Sequence, residues 1–253
     1  RQQLGIPFIF AFIIGIILTG LLGFILERTF LRPMVGEPVF SVAVLTIGID
    51  ILLRVVLDNW IGINPKYMGD PFPSYGNFGS LNIGGLTVKY LEVTALITSL
   101  VLISILSVFF KRSKYGVAMR ATSLDQEAAL AQGINVGRVF GLVWFIAGLL
   151  AAFAGFFITG GFNTLTNTSF ISALRALPAV VIGGLDSITG AIIGSLIIGL
   201  TQAYVGYYQF DIESAYNIKL GNGFSIVAPY LIMFVILLVK PHGLFGTEEV
   251  ERV

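Results

Sequence analysis

Residues 6–26 read IPFIFAFIIGIILTGLLGFIL, an unbroken apolar stretch that contains no charged side chain. A helix rises about 1.5 Å per residue, and the hydrocarbon core of a bilayer is about 30 Å thick. A helix over these residues is therefore long enough to cross a membrane, and Glu27 with Arg28 marks its end. The stretch predicts a transmembrane helix, and it decides the class of the chain because several other stretches share its character.

These further apolar stretches lie at about 39–57, 91–110, 139–159, 190–208 and 224–239. Another at about 170–185 is shorter, and Arg175 and Pro178 interrupt it, so we expect a broken or re-entrant segment there. A membrane β-barrel would instead show alternating strands of about ten residues. The prediction is an all-α membrane protein, a polytopic transmembrane helix bundle of about six or seven spans. We expect a single transmembrane domain over residues 1–253.

The composition agrees with a membrane protein and excludes several function classes. Hydrophobic residues make up 56% of the chain and charged residues 11%, whereas about a quarter of a soluble domain is charged. There is no cysteine, a single histidine (His242), and no visible catalytic set or cluster of metal ligands. We therefore predict no enzyme activity and no catalytic, cofactor or metal site in this chain. A net charge of +1 argues against a nucleic-acid partner.

The basic residues predict how the chain is oriented, because cytoplasmic loops carry an excess of lysine and arginine. Segment 111–138 is rich in basic residues and the longer segment 58–90 is poor in them. They are Lys111, Arg112, Lys114, Arg120 and Arg138 in the first, and Lys66 and Lys89 in the second. We expect loop 111–138 to be cytoplasmic and loop 58–90 to be extracytoplasmic.

The cytoplasmic loop carries a short helix signal over residues 123–133, which read SLDQEAALAQG. Ser123 with Gln126 fits a capping box, and Asp125 and Glu127 would favour the positive end of the helix dipole. Gly133 stands where a glycine would end the helix. Its surface is formed by small side chains, Ala128, Ala129 and Ala131. Such a helix either docks in a groove on another protein or merely connects two spans.

Several motifs resemble one known family. Glu127-Ala128-Ala129-x-x-x-Gly133 resembles the EAA loop of ABC importer permeases, the coupling helix that docks on the ATP-hydrolysing subunit. The segments 183–191 (GGLDSITGA) and 241–246 (PHGLFG), with Glu27-Arg28 and Arg32-Pro33, are similar to the branched-chain amino-acid permeases of the Liv type. The resemblance covers essentially the whole chain. One departure is Asp186, at a position that is usually glycine in the family.

The resemblance implies a permease subunit of an ABC importer for branched-chain or other hydrophobic amino acids, in the plasma (inner) membrane of a prokaryote. It implies three kinds of partner besides membrane lipid: a second permease subunit (a paralogue or a copy), two ATP-binding subunits that bind ATP and Mg, and an extracytoplasmic substrate-binding protein. The candidates for coupling to the ATPase are Ser123, Asp125, Glu127, Ala128, Ala129 and Gly133. A related group of permeases moves urea or short amides, and the sequence leaves that alternative open.

The second span contains an ionisable pair. Asp50 and Arg54 are four residues apart and share one face of a helix. They form either part of the substrate path or a structural pair in which Arg54 reaches towards the outer surface. Arg175 likewise either lines a cavity or anchors near the interface. An ion-coupled secondary transporter is the alternative from another class, with Asp50 as its best coupling residue, but no inverted repeat is evident.

Small residues at helical spacing predict close packing between spans. One set is Gly190 and Gly194 with Ser195 and Gly199, and another is Ala147, Ala151 and Gly155. A role in gating is the alternative.

The pair Gly183-Gly184 could be interpreted as part of a phosphate-binding loop. It lacks the lysine and the spacing of a Walker A sequence, however. We interpret it instead as a turn that joins the broken helix to the next span, with its irregular backbone shielded by protein.

The start of the chain predicts missing sequence upstream. The chain begins with Arg1 and enters an apolar stretch almost at once, and no A-x-A-like cleavage site follows that stretch. The family usually begins with a further hydrophobic region that carries an Asn-Phe-Ala-His-Gly-like stretch, which is absent here. We expect the native N-terminus, with a further helix or two, to precede Arg1.

Overall fold

A computed structural model describes residues 8–35, 37–62, 64–67, 80–83, 86–162, 164–165, 171–174, 176–217, 219, 221 and 223–246. The chain forms two compact units, Arg1–Ser169 and Phe170–Val253. The first contains α1 (Phe8–Leu26), α2 (Val39–Ile61), α3 (Tyr90–Arg112), α4 (Lys114–Leu124), α5 (Gln126–Ala131) and α6 (Val136–Phe162). The second contains α7 (Ile171–Leu174), α8 (Leu177–Gly183), α9 (Ile188–Tyr216) and α10 (Phe224–Val239).

Short strands occur only beside the helices of the first unit, among the residues described. Strand β2 (Ser80–Ile83) pairs antiparallel with β3 (Leu86–Lys89), directly before α3. Strand β1 (Lys66–Tyr67) pairs antiparallel with β4 (Thr164–Leu165), which follows α6. The strands are too short to form a core, so helices dominate the architecture.

The predicted fold class is confirmed. Five described helices, α1, α2, α3, α6 and α9, are long and apolar enough to cross a membrane, and α10 is a shorter apolar helix of 16 residues. Large apolar side chains such as Phe40, Leu52 and Leu100 are exposed along them. Water would disfavour so much exposed apolar surface, whereas lipid or a neighbouring subunit accepts it.

The segment predicted to be broken is formed by two short helices. Helix α7 has 4 residues and α8 has 7, each far shorter than a membrane crossing. Pro178 lies in the first turn of α8, where its missing N–H interrupts no helical hydrogen bond. The hydroxyl of Tyr230 on α10 donates a hydrogen bond to the carbonyl of Leu174 at 3.0 Å and so holds α7 in place.

Glycines set the packing of α1 on α6. A Cβ added to Gly23 would lie 2.5 Å from the carbonyl oxygen of Trp144, and one added to Gly148 would lie 2.5 Å from that of Thr19. The two helices therefore pack backbone against backbone. The face predicted from Ala147, Ala151 and Gly155 is not the packing face, since all three are exposed. Glycine allows a closer approach than alanine, which explains why α6 turns its glycine face to α1.

Helices α8 and α9 form a similarly tight hairpin in the second unit. A Cβ on Gly190 would collide with the carbonyl of Gly183, and one on Gly194 would collide with that of Ala179. Gly199 lies one turn farther, where an added Cβ would meet no described atom within 4 Å, so its predicted packing contact is not made there. The amide of Gly190 donates to the hydroxyl of Ser187 at 3.0 Å, and this bond caps α9.

Residues 243–246 form an arm that completes the end of α8. The amide of Leu244 donates to the carbonyl of Ile182 at 2.8 Å, and that of Phe245 donates to Gly183 at 3.1 Å. These carbonyls would otherwise lack helical partners, because a helix leaves its last carbonyls unbonded. Since the arm closely follows α10, the end of α8 and the end of α10 lie close together.

The turn between α8 and α9 requires glycine at Gly184. This residue has φ +103°, and a Cβ on it would lie 2.5 Å from the amide nitrogen of Gly246. Asp186 does not have a positive φ, since Asn217 is the one non-glycine residue with positive φ among those described, so the turn does not require glycine at position 186. The two glycine-rich motifs, 183–191 and 241–246, thus form a single structural element.

Candidate functional site

The loop between α3 and α6 is folded into two short helices, α4 and α5. Ser113 begins α4, since its hydroxyl accepts a hydrogen bond from the amide of Gly116 at 2.9 Å. A Cβ on Gly116 would lie 2.5 Å from the carbonyl oxygen of Phe109, so α4 starts directly against the end of α3. The Arg120 guanidinium donates to the carbonyl of Phe110 and adds a second tie. The loop is therefore a structured element.

Helix α5 begins at a different residue from the one predicted. Asp125 is its N-cap, and the amide of Ala128 donates to Asp125 Oδ1 at 2.9 Å. Ser123 belongs to α4, and its hydroxyl donates to the carbonyl of Arg120 at 2.9 Å, so the predicted capping box with Gln126 is wrong. The reason is that the backbone is extended at Asp125, where a carboxylate caps well and also favours the helix dipole.

Gly133 ends α5, as the sequence predicts. Its φ is +79°, its amide donates to the carbonyl of Leu130 at 2.9 Å, and the amide of Ile134 donates to that of Ala129 at 3.0 Å. These two bonds form a Schellman motif, which needs the left-handed conformation that glycine adopts without strain. An added Cβ at Gly133 would meet no described atom within 4 Å, so the requirement is conformational and not steric.

The exposed side of α5 is more apolar than the sequence reading suggested. Ala129 is 3% exposed and anchors the helix, whereas Glu127, Ala128 and Ala131 are exposed. Leu130 is 57% exposed, and Leu124 at the end of α4 is 87% exposed. We call the exposed set Leu124, Ala128, Leu130 and Ala131 the coupling surface. The two leucines were missed by the sequence reasoning, although their position around the Asp125 cap was a visible signal.

Leucines outside a membrane favour a protein partner. Burying a leucine side chain that is otherwise in water contributes about 1.5–3 kcal/mol. The coupling surface presents two of them on a short capped helix beside small alanines, a shape that fits a groove on another protein.

Helix α5 is joined almost directly to α6. Residues 132–135 connect them, and Asn135 caps α6 by accepting a hydrogen bond from the amide of Arg138 at its Oδ1, at 3.0 Å. A displacement of α5 is therefore applied at the first turn of a helix that runs from Val136 to Phe162.

An ion pair lies beside that first turn. Arg32 donates to Glu27 through Nε to Oε1 at 3.1 Å and through Nη2 to Oε2 at 2.9 Å. The same Nη2 donates to the carbonyl of Gly137 on α6 at 2.7 Å. Glu27 is 1% exposed. We call these three residues the clasp.

A π-helical turn makes the clasp possible. Residues five apart in an α-helix lie about 140° apart around the axis and do not face each other. Over Glu27–Leu31 the helix widens, and the amide of Arg32 bonds to the carbonyl of Glu27. This geometry places the two side chains one above the other. No sequence pattern predicted this turn, since Glu27 and Arg32 stood out only for their resemblance to the family.

Two of the remaining predicted residues, Asp50 and Arg54, lie on α2 and not on α5. Asp50 and Arg54 pair in the middle of α2, with Nε to Oδ2 at 2.9 Å and Nη2 to Oδ1 at 3.1 Å, and Asp50 is 57% exposed. Arg175 lies outside the described residues. The structure thus places Asp125 at the start of α5, Ala129 within it and Gly133 just after it, whereas the charged pair of α2 lies on another helix.

Comparison with known proteins identifies the family. Residues 2–239 match the family of permease components of branched-chain amino acid transport systems. The chain belongs to this family.

Individual relatives agree along nearly the whole permease. It is 27% identical to the high-affinity branched-chain amino acid transport permease BraD of Pseudomonas aeruginosa, over 96% of this chain and 76% of BraD. It is 30% identical to LivH of Salmonella typhimurium and 29% identical to LivH of Escherichia coli K12, over 96% of this chain and 75% of each relative. The resemblance inferred from the motifs is confirmed. No solved structure matches this permease.

Proposed function

We propose that this chain is the permease subunit of an ABC importer that carries branched-chain or other hydrophobic amino acids across a prokaryotic plasma membrane. Membership of the family supports the transport role, and the names of BraD and LivH support the substrate class. The observation that carries the mechanism is α5, a capped helix that presents an apolar surface outside the membrane spans.

The coupling surface is where an ATP-binding subunit docks. The permease carries no Walker A sequence, so the energy comes from partners that bind ATP and Mg. Two such subunits, a second permease subunit and an extracytoplasmic binding protein complete the importer. The small, smooth surface of α5 suits a groove, and Leu124 and Leu130 would be buried there.

The sidedness follows from the basic loop and from α3. Loop 111–138 is cytoplasmic because it holds five basic residues, against two in the longer segment 58–90. Helix α3 has 23 residues, about 34 Å at 1.5 Å per residue, which separates this loop from segment 58–90 by one full crossing. Segment 58–90 is therefore extracytoplasmic and is available to the binding protein.

Capture of the ATPase tests this function. The tagged full-length permease is purified in mild detergent from cells that express the whole transport system, beside Leu130→Glu and Gln126→Glu variants. Leu130→Glu places a charge in the coupling surface, whereas Gln126→Glu adds the same charge to the first turn of α5 and removes no apolar side chain. We expect the wild type and Gln126→Glu to retain an ATP-binding subunit and Leu130→Glu to lose it.

Transport without ATP would contradict the proposal. If the wild type purifies alone and moves solute in ATP-free liposomes, the protein is a secondary transporter. Asp50 then becomes the residue to study.

A further inference from the structure

The clasp joins the end of α1 to the first turn of α6, next to the connection between α5 and α6. One guanidinium, that of Arg32, bonds to both oxygens of Glu27 and to the carbonyl of Gly137. Gly137 lies in the first turn of α6, immediately after the connection to α5. A displacement of α5 is therefore transmitted to the turn of α6 that the Arg32 side chain contacts.

The interface is built around this pair. A Cβ added to Gly137 would lie 3.3 Å from Arg32 Cζ, and one added to Gly141 would lie 3.3 Å from Glu27 Oε2. Both of these α6 positions beside the Glu27–Arg32 pair are thus glycine. Glu27 is buried in this interface and the Arg32 side chain is 37% exposed, so water and salt reach the pair from the arginine side only. An exposed surface pair contributes little by comparison.

The rest of α1 is packed tightly against α6, so the two helices would move together. Beyond the clasp, Gly23 and Gly148 bring the two backbones into direct contact, and Gly20 lies against Leu149. Close-packed helices transmit displacement because they leave no space to deform into. The clasp fixes these helices against sliding at the end nearest α5.

We propose that Glu27 and Arg32 are positioning residues that make α1 and α6 move as one body when the ATPase displaces α5. This inference rests on the proposed function, because it takes α5 as the point where the ATPase acts. It predicts that breaking the clasp uncouples ATP hydrolysis from transport while the ATPase stays bound.

The complete importer in proteoliposomes, with radiolabelled leucine as the probe, tests the inference. Glu27→Gln weakens the clasp without adding bulk. Arg28→Gln is the matched control, since Arg28 lies in the same turn, is exposed and loses one charge. With one charge-assisted hydrogen bond lost, we expect leucine uptake per ATP hydrolysed to fall about tenfold in Glu27→Gln, with ATP hydrolysis within about twofold of wild type. Arg28→Gln should retain both.

A reversible cross-link separates transmission from stability. The chain contains no cysteine, so Arg32→Cys and Gly137→Cys in a Glu27→Gln background form a unique pair. A short thiol-reactive bridge that spans the length of the arginine side chain replaces the clasp and is removed by reductant. We expect bridging to restore uptake per ATP in the same protein sample, and reduction to abolish it again.

Three results would overturn the inference. One is an unchanged uptake per ATP in Glu27→Gln, and another is a bridged variant that stays uncoupled. The third is loss of the ATP-binding subunit from Glu27→Gln, because the clasp would then only hold the shape of the docking surface. A wild-type complex that binds no ATP-binding subunit would instead contradict the proposed function itself.

Discussion

The backbone of Gly23 on α1 lies so close to Trp144 on α6 that a Cβ on the glycine would be 2.5 Å from the tryptophan carbonyl oxygen. Membrane helices gain little from the hydrophobic effect between themselves and associate through such close packing. The contact is made by main chain, which cannot change rotamer to make room. Replacement of Gly23 must therefore separate the helices.

Gly23→Leu is expected to destabilise the first unit. Overpacking of a close contact costs about 1–3 kcal/mol. The measurement is the midpoint of thermal unfolding in detergent, followed by size-exclusion chromatography. Gly15→Leu is the control on the same helix, since nothing lies within 4 Å of a Cβ there. Equal midpoints for the two variants would show that α1 and α6 do not pack as described.

Gly133→Val is expected to weaken capture of the ATP-binding subunit more than Gly133→Asn. Both side chains have open space, but φ +79° strains a β-branched residue and suits asparagine far better. The strain of about 1–2 kcal/mol would unravel the end of α5. Co-purification of the ATP-binding subunit measures the effect. Identical capture by the two variants would mean that the C-terminal turn of α5 does not shape the docking surface.

Deletion of residues 241–253 is expected to destabilise the second unit, whereas deletion of 247–253 is not. The longer deletion removes the amides of Leu244 and Phe245, so the carbonyls of Ile182 and Gly183 lose those donors. An unsatisfied buried carbonyl costs about 1–3 kcal/mol. Thermal unfolding in detergent compares the truncations. If they unfold together, the arm is dispensable.

Variants of Asp50 and Arg54 distinguish a structural role of this ion pair from a role in the substrate path. Removal of one partner leaves the other charge without its salt bridge inside a membrane span, so Asp50→Asn should lower protein yield and thermal stability. The double variant Asp50→Leu with Arg54→Leu should recover both, because no charge remains. For a structural pair we expect leucine uptake to recover as well. Uptake that stays absent in the stable double variant would place the pair in the path.

The membrane spans could be predicted because apolar runs are long and a bilayer imposes their length. The short segment near Pro178 was predictable for the same reason. The start of α5 was not, since Ser123 and Asp125 are both good caps and the choice depends on where the backbone becomes extended.

Two contacts could not be predicted from the sequence. The buried Glu27 pairs with Arg32, five residues further on, only because of a π turn, and no residue pattern predicts such a turn. The packing face of α6 was misassigned for a related reason. Small residues mark two faces of that helix, and only its neighbour decides which face is used.

The arm that bonds to the end of α8 also bears on how the protein is made. Helices α8 and α9 leave the ribosome before Leu244 and Phe245 are synthesised. The carbonyls of Ile182 and Gly183 therefore enter the membrane before these hydrogen-bond donors exist. Water or the insertion machinery must solvate them until the arm arrives. The second unit therefore cannot reach its final structure during insertion of its hairpin, and its assembly is completed only after Leu244 and Phe245 have been synthesised.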